Sequence, residues 1–238
     1  MPIGLKFASN YSISIIKIMS GLLKSSIGRK FAMALSALFL MVFLLQHFVI
    51  NILSVFSPEA FNDASYFMGN FWAVQYLLQP VLMFGVVFHF VMGFVLEIKN
   101  KGAREVKYAK NNGAANSTWM SRNMIWTGLA ILGFVVFHLN DFWVPEMVEK
   151  YIDGKSQVGK DFYTHVVHMF ENPIRVGVYV LSFVFLALHL LHGFNSAFQS
   201  VGANNKYTKG LKTFSKVYAI GIPVGFIIIA LFHHFNHH

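Results

Sequence analysis

Four histidines, His47, His89, His138 and His189, lie inside long stretches free of Asp, Glu, Lys and Arg. An ionisable side chain at bilayer depth is costly to hold and marks a functional position by default. Neutral imidazole offers one ring nitrogen as a metal ligand and is a standard axial ligand of haem iron. Four such residues on four spans predict two bis-histidine haems b gripped between helices. The chain has no cysteine, so thiolate-bound clusters and thiolate zinc sites are excluded, and any metal must be held by His, Met or carboxylate.

The elements that must position these residues follow from composition. Of 238 residues, 55% are hydrophobic and only 12% are charged, against about 25% charged in an ordinary soluble domain. Residues 31–58, 64–96, 123–140, 176–205 and 217–238 carry no acidic or basic group other than histidine. A hydrocarbon core of about 30 Å needs roughly 20 helical residues. The runs are apolar on successive residues, whereas barrel strands would alternate. The predicted fold is therefore an all-α membrane protein: one domain over 1–238, with five transmembrane helices at about 31–54, 75–97, 122–142, 174–200 and 215–235.

Net charge is +9, and its distribution argues against nucleic acid as the partner. Residues 1–30, 97–122 and 203–216 carry 15 of the 19 basic residues and fall on one side of a five-span topology. The segment 141–175 on the other side holds six acidic and four basic residues. The positive-inside rule puts the N-terminus and the basic segments in the cytoplasm and the C-terminus outside. Residues 11–23 are interrupted by Lys17 and lack a clear small-residue cleavage site, so 1–30 is expected to be a cytoplasmic segment with an amphipathic surface stretch. The outer loop 141–173 has room for a surface helix near Val144–Ile152 or Phe162–Phe170. No strong repeat or low-complexity tract is evident.

Depth pairs the histidines. His47 follows Lys30 by 17 residues and His138 follows Arg122 by 16. At about 1.5 Å per residue, both rings lie roughly 25 Å from the cytoplasmic charges. His89 precedes Lys99 by ten residues, and His189 precedes Gly202 by 13. These two share a tier nearer the cytoplasm. The outer pair is thus His47 with His138, and the inner pair His89 with His189. His192, ten residues before Gly202, rivals His189 by depth. Gly93 and Gly193 follow His89 and His189 by four positions, on the same helix faces, where a flat macrocycle could approach the backbone. Close helix packing through small residues explains them equally well, and the same holds for Gly128 and Gly133.

Other histidines have simpler readings. His165 and His168 read as solvated loop residues, and His233, His234, His237 and His238 as an interfacial tail open to adventitious metal. For the four central histidines the competing explanation is hydrogen bonding across helices or proton relay.

The motifs Gly28-Arg29-Lys30, Gln46-His47-Phe48-Val49-Ile50-Asn51, Phe88-His89-Phe90-Val91-Met92-Gly93, Phe137-His138 and Leu188-His189-Leu190-Leu191-His192-Gly193 carry a family resemblance over roughly 24–235. Together they resemble the cytochrome b membrane-anchor subunit of succinate:quinone oxidoreductase, in its single-subunit, five-helix, two-haem form. Each motif is short and degenerate; their order on the first four of five helices is the specific feature. The resemblance implies the same pairing, with His47 and His138 on the outer haem and His89 and His189 on the inner. Its fourth-helix pattern, His followed four positions later by Gly, favours His189 over His192. It also implies a cytoplasmic flavoprotein subunit that oxidises succinate, an iron–sulfur subunit, and a membrane quinone, with menaquinone the expected type. The anchor itself would carry no dehydrogenation residue.

Quinone reduction takes up protons, so a protonatable group is expected nearby. Glu59, Asp63 and Asp141 are the outer-side candidates, and none is an unmistakable match to the family's quinone acid. Arg29, Lys30, Ser36, Ser121 and Arg122 are candidates for inner haem propionates. The alternatives are a dihaem anchor of another quinone-linked dehydrogenase, serving hydrogen or formate, and a haem-free proton-coupled transporter. Transporters tend to show inverted repeats and broken helices at mid-membrane. Here no repeat is evident, and Pro80 and Pro223 fall near predicted span starts.

Overall fold

The computed structural model describes residues 25–102, 122–203 and 208–236. Every regular element among them is helical. Five helices are long and apolar enough to cross a membrane: α1 (Ser26–Phe56), α3 (Val74–Gly102), α4 (Met124–Ile152), α6 (Pro173–Ser200) and α7 (Thr208–Phe235). Two shorter helices, α2 (Pro58–Asn70) and α5 (Phe162–Glu171), lie in the connections.

Local chemistry sets the ends. Ser25 caps α1 by accepting from the Gly28 N–H. Ser57 caps α2 with Pro58 at its first position, and Asn172 caps α6 with Pro173 there, accepting from Ile174 and Arg175 N–H. Such caps satisfy backbone donors that the helix itself leaves orphaned. Asp161 caps α5 by accepting from Thr164 N–H, and hydrogen bonds from the Thr164 hydroxyl and the Asn62 amide hold its carboxyl below the usual aspartate range.

α1, α3, α4 and α6 form the four walls of a bundle, and α7 packs outside against α1 and α6. Lipid offers no hydrophobic drive between helices, so contact quality and interhelical hydrogen bonds decide the packing. Aromatic rings interlock accordingly: Phe226 of α7 stacks on Phe183 of α6 at 5.3 Å and meets Phe48 of α1 edge-on at 5.4 Å. The Tyr218 hydroxyl donates to the Met41 carbonyl, tying α7 to α1.

Gly225 is where this contact is closest, because a Cβ there would lie 2.3 Å from Phe48 Cε2. Gly225→Ala must displace the Phe48 ring, next to His47. The expected loss is about 1–3 kcal/mol, typical of overpacking, read as a lower unfolding temperature in detergent; an unchanged transition would refute the tight α1–α7 contact.

The helices are longer than the hydropathy runs, because charged residues continue them into the interfaces. α1 already contains Arg29 and Lys30, and α3 continues to Gly102. α4 does not stop near 142. It continues through π-helical turns at Leu139–Trp143 and Val148–Ile152, so Val144–Ile152 extends this span instead of forming a separate surface helix. The π turn ahead of Pro145 shifts the hydrogen-bond register just before a residue that has no N–H to give. The other expected location, 162–170, is α5. α7 begins at Thr208, which places Pro223 mid-helix and fully buried, away from the span start.

The last helix also corrects the reading of the C-terminal histidines. His233 and His234 belong to α7, and His233 is 1% exposed. It continues the buried face of Phe226, Ile229 and Ala230 at helical spacing. Its Nε2 lies 2.8 Å from the Ser54 hydroxyl, and His234 Nδ1 lies 2.9 Å from the Phe170 carbonyl. His237, His238, the 11–23 stretch and Ser121 lie outside the described residues.

Candidate haem site

The four walls enclose a cavity of about 1430 Å³, larger than the ~300–1,000 Å³ of a typical single-ligand pocket. It runs from Lys30, Glu97 and Asn100 at one end to Glu146, Glu149 and Lys160 at the other, and His47, His89, His138, His189 and His192 all line it. The wall is dominated by apolar side chains, as the charge-free runs require.

The histidines meet in pairs. His47 and His138 have ring centroids 5.8 Å apart with planes at 85°. His89 and His189 are 6.4 Å apart at 68°. Metal–imidazole bonds are about 2.0–2.1 Å, so two rings on opposite sides of one metal have centroids roughly 6–6.5 Å apart. The inner pair falls within that range, and the outer pair lies slightly short of it. The imidazole in ring contact with His89 is that of His189; His192 lines the same cavity one turn further along α6. Among the described residues no three of His, Asp and Glu converge as they would around a chelated ion. Paired single ligands instead suit a metal that brings its own equatorial donors.

Second partners fix which ring nitrogen is free. The Ser36 hydroxyl donates its hydrogen to the Met33 carbonyl at 2.8 Å and lies 3.1 Å from His89 Nδ1. With its only hydrogen committed, the oxygen can only accept, so His89 Nδ1 carries the proton and Nε2 keeps its lone pair. Thr127 repeats the device: its hydroxyl donates to the Met124 carbonyl at 3.0 Å and lies 3.2 Å from His189 Nδ1. At the other tier the Tyr179 hydroxyl donates to Asp141 Oδ2 at 2.9 Å and stands 3.4 Å from His138 Nδ1. Asn51 donates to the His47 carbonyl at 2.8 Å and its amide lies 3.4 Å from the ring nitrogens. Acceptors such as the Ser36, Thr127 and Tyr179 oxygens orient metal-ligating histidines and raise their basicity, whereas the Asn51 amide nitrogen is a donor and only braces the His47 ring.

The remaining sequence candidates are distributed unevenly. Lys30 lines the basic end of the cavity. Arg29 lies on α1 without lining it, and Arg122 is exposed at the start of the third span. Ser36 stands beside His89: its hydroxyl donates to the Met33 carbonyl and lies 3.1 Å from His89 Nδ1. Glu59 and Asp63 are exposed on α2, outside the cavity lining. Asp141 is buried behind His138, with Arg175 Nε 3.2 Å from its Oδ2. Met33 and Met124 place their methyl ends 3.7 and 3.3 Å from where a Cβ on Gly93 or Gly193 would stand. Gly128 leaves room for the His189 ring, 3.7 Å from the equivalent point, while Gly133 meets nothing within 4 Å. His165 is only half-buried on α5, with Nε2 3.1 Å from the Asp141 carbonyl, and His168 is exposed beside it; both line the far end.

One cluster went unread in the sequence. Lys160 bridges Glu146 and Glu149 at 2.5 and 2.6 Å, and Lys150 bonds the Gly69 carbonyl. Burial alone would lower the Lys160 ammonium, but its bonds to both carboxylates outweigh that and hold it above the usual lysine range. Glu146 Oε1 is buried without a hydrogen-bond partner. The three residues form the acidic end of the cavity. Their only sequence signal was the surplus of acids over bases in 141–175.

Five spans around one histidine-lined cavity define an all-helical, multi-pass membrane protein. Among characterised proteins the chain is similar to the succinate dehydrogenase cytochrome b558 subunit of Bacillus subtilis (strain 168), being 24% identical over 155 residues, 64% of this chain and 68% of that one. No protein-family profile and no solved structure matches. The similarity bears out the resemblance to succinate dehydrogenase cytochrome b anchors carried by the histidine motifs.

Proposed function

We propose that this chain is the cytochrome b membrane anchor of a succinate:quinone oxidoreductase, carrying electrons from an iron–sulfur subunit to a membrane quinone, with menaquinone the favoured type. The observation that carries the reading is the two histidine pairs that face each other across one cavity, with ring centroids 5.8 and 6.4 Å apart. The similarity to a succinate dehydrogenase cytochrome b subunit supports the choice of enzyme.

In this reading His47 with His138, and His89 with His189, would hold haem b, whose iron would supply one-electron carriage across the bundle. Ser36 and Thr127 hold the inner imidazoles in the required tautomer, and the Tyr179 oxygen serves His138 of the outer pair. The apolar walls keep water from the histidines, and Lys30 at the basic end would face the anionic groups of a haem bound there. At the other end Glu146 Oε1, buried without a hydrogen-bond partner, is the candidate for proton exchange with the quinone. That role replaces Glu59 and Asp63, which are exposed outside the cavity, and Asp141, whose carboxylate is committed to Tyr179 and Arg175. The basic end faces the cytoplasm of a bacterium, docking the iron–sulfur and flavoprotein subunits, and the chain resides in the inner membrane.

The pyridine haemochrome of the purified chain is expected to show about two haems b per polypeptide. A colourless preparation from haem-replete cells would overturn the reading. Co-purification with a flavoprotein and an iron–sulfur protein, and succinate-dependent reduction of the haems, distinguishes a succinate enzyme from a hydrogen- or formate-linked one.

A further inference from the structure

The two tiers differ in what stands behind their ligands. Ser36 and Thr127, behind the inner pair, spend their hydrogens on main-chain carbonyls. Those acceptors are neutral. Behind His138 the Tyr179 hydroxyl spends its hydrogen on a carboxylate, Asp141 Oδ2, whose side chain is 3% exposed. Tyr179 itself is 2% exposed, closed in by Phe134, Phe170 and Phe183. Arg175 Nε stands 3.2 Å from the same Oδ2, a charge contact without hydrogen-bond geometry, and its guanidinium rests over the Phe137 ring.

We propose that Tyr179 and Asp141 act as positioning residues that lower the reduction potential of the outer site through the Nδ1–H of His138. The inference rests on the haem reading above. A hydroxyl whose own hydrogen is drawn to a buried carboxylate is a stronger acceptor than one bonded to an amide carbonyl. It pulls the His138 Nδ1 proton outward and makes Nε2 a better electron donor. Stronger donation favours the ferric over the ferrous state. His47 has no carboxylate behind it, only the Asn51 amide, which places the effect on one ligand of one tier.

The test is a redox titration of both haems in the purified complex, with Tyr179→Phe and the double variant Asp141→Leu/Arg175→Met. Tyr179→Phe removes one oxygen and is expected to shift the outer haem toward the reduced form by about tenfold at fixed potential, a rise of about 59 mV for a one-electron couple. The double variant keeps Tyr179 but removes the charge behind it, and a smaller rise of the same haem is expected. The inner haem is the internal control and should not move. An unchanged outer midpoint in haem-replete variants, or a shift confined to the inner haem, overturns the proposal. If Tyr179→Phe loses the outer haem, the midpoint in the double variant decides. A wild-type chain without haem would sink the functional reading itself, a result distinct from two haems whose midpoints ignore these substitutions.

Discussion

Alanine at His189 is expected to cut bound haem from about two per chain to about one, while alanine at His192 leaves both in place. Depth from the basic end favoured His192, and the ring geometry favours His189. Its centroid stands 6.4 Å from that of His89, and its Nδ1 is held by a hydroxyl that can only accept. His192 lines the cavity, but its imidazole is not the one paired with His89. The measurement is haemochrome content together with the midpoint of whatever haem remains, and the remaining haem should titrate as the outer one. Retention of two haems by His189→Ala, with loss of one by His192→Ala, would exchange their roles.

The second large effect lies behind the outer ligand. Asp141→Ala leaves the Arg175 guanidinium near a vacated, mostly buried space and frees the Tyr179 hydroxyl of its acceptor. Removing one partner of a buried ion pair costs about 3–5 kcal/mol. Arg175 is 28% exposed, so water recovers part of its solvation and the lower end of that range is expected. The cost is read from thermal unfolding in detergent. The double variant Asp141→Leu/Arg175→Met should recover most of it, because an apolar pair leaves no stranded charge. Equal destabilisation in single and double variants would mean that packing around Phe137 and Tyr179 dominates, with the charge contact contributing little.

Much of the architecture was legible because its signals are one-dimensional. A span announces itself by the absence of charge over about 20 residues. The depths of His47, His138 and His89 follow from counting residues to the nearest basic flank, while the count to Gly202 on the fourth span left His189 and His192 as rivals. What escaped were features decided by contacts between distant segments. Ser36 is 53 residues from His89, Thr127 is 62 from His189, and Tyr179 is 38 from Asp141. No local spacing reports such pairs. His233 was misjudged because it was read with the terminal histidines as a tail although the predicted span 215–235 contained it, and its partner Ser54 lies 179 residues away. α2 is a different kind of miss: Ser57-Pro58-Glu59 carries a helix start in plain form, overlooked beside the stronger hydropathy signal. The π turns in α4 have no comparable signature beyond Pro145.

The hydroxyls of Ser36 and Thr127 are anchored to carbonyls of their own helices, three residues back in each case. Each anchor forms with the helix itself, so the inner imidazoles are set before any porphyrin enters. In the haem reading, an inner site assembled in this way would need no tautomer exchange in a dry interior when its cofactor arrives.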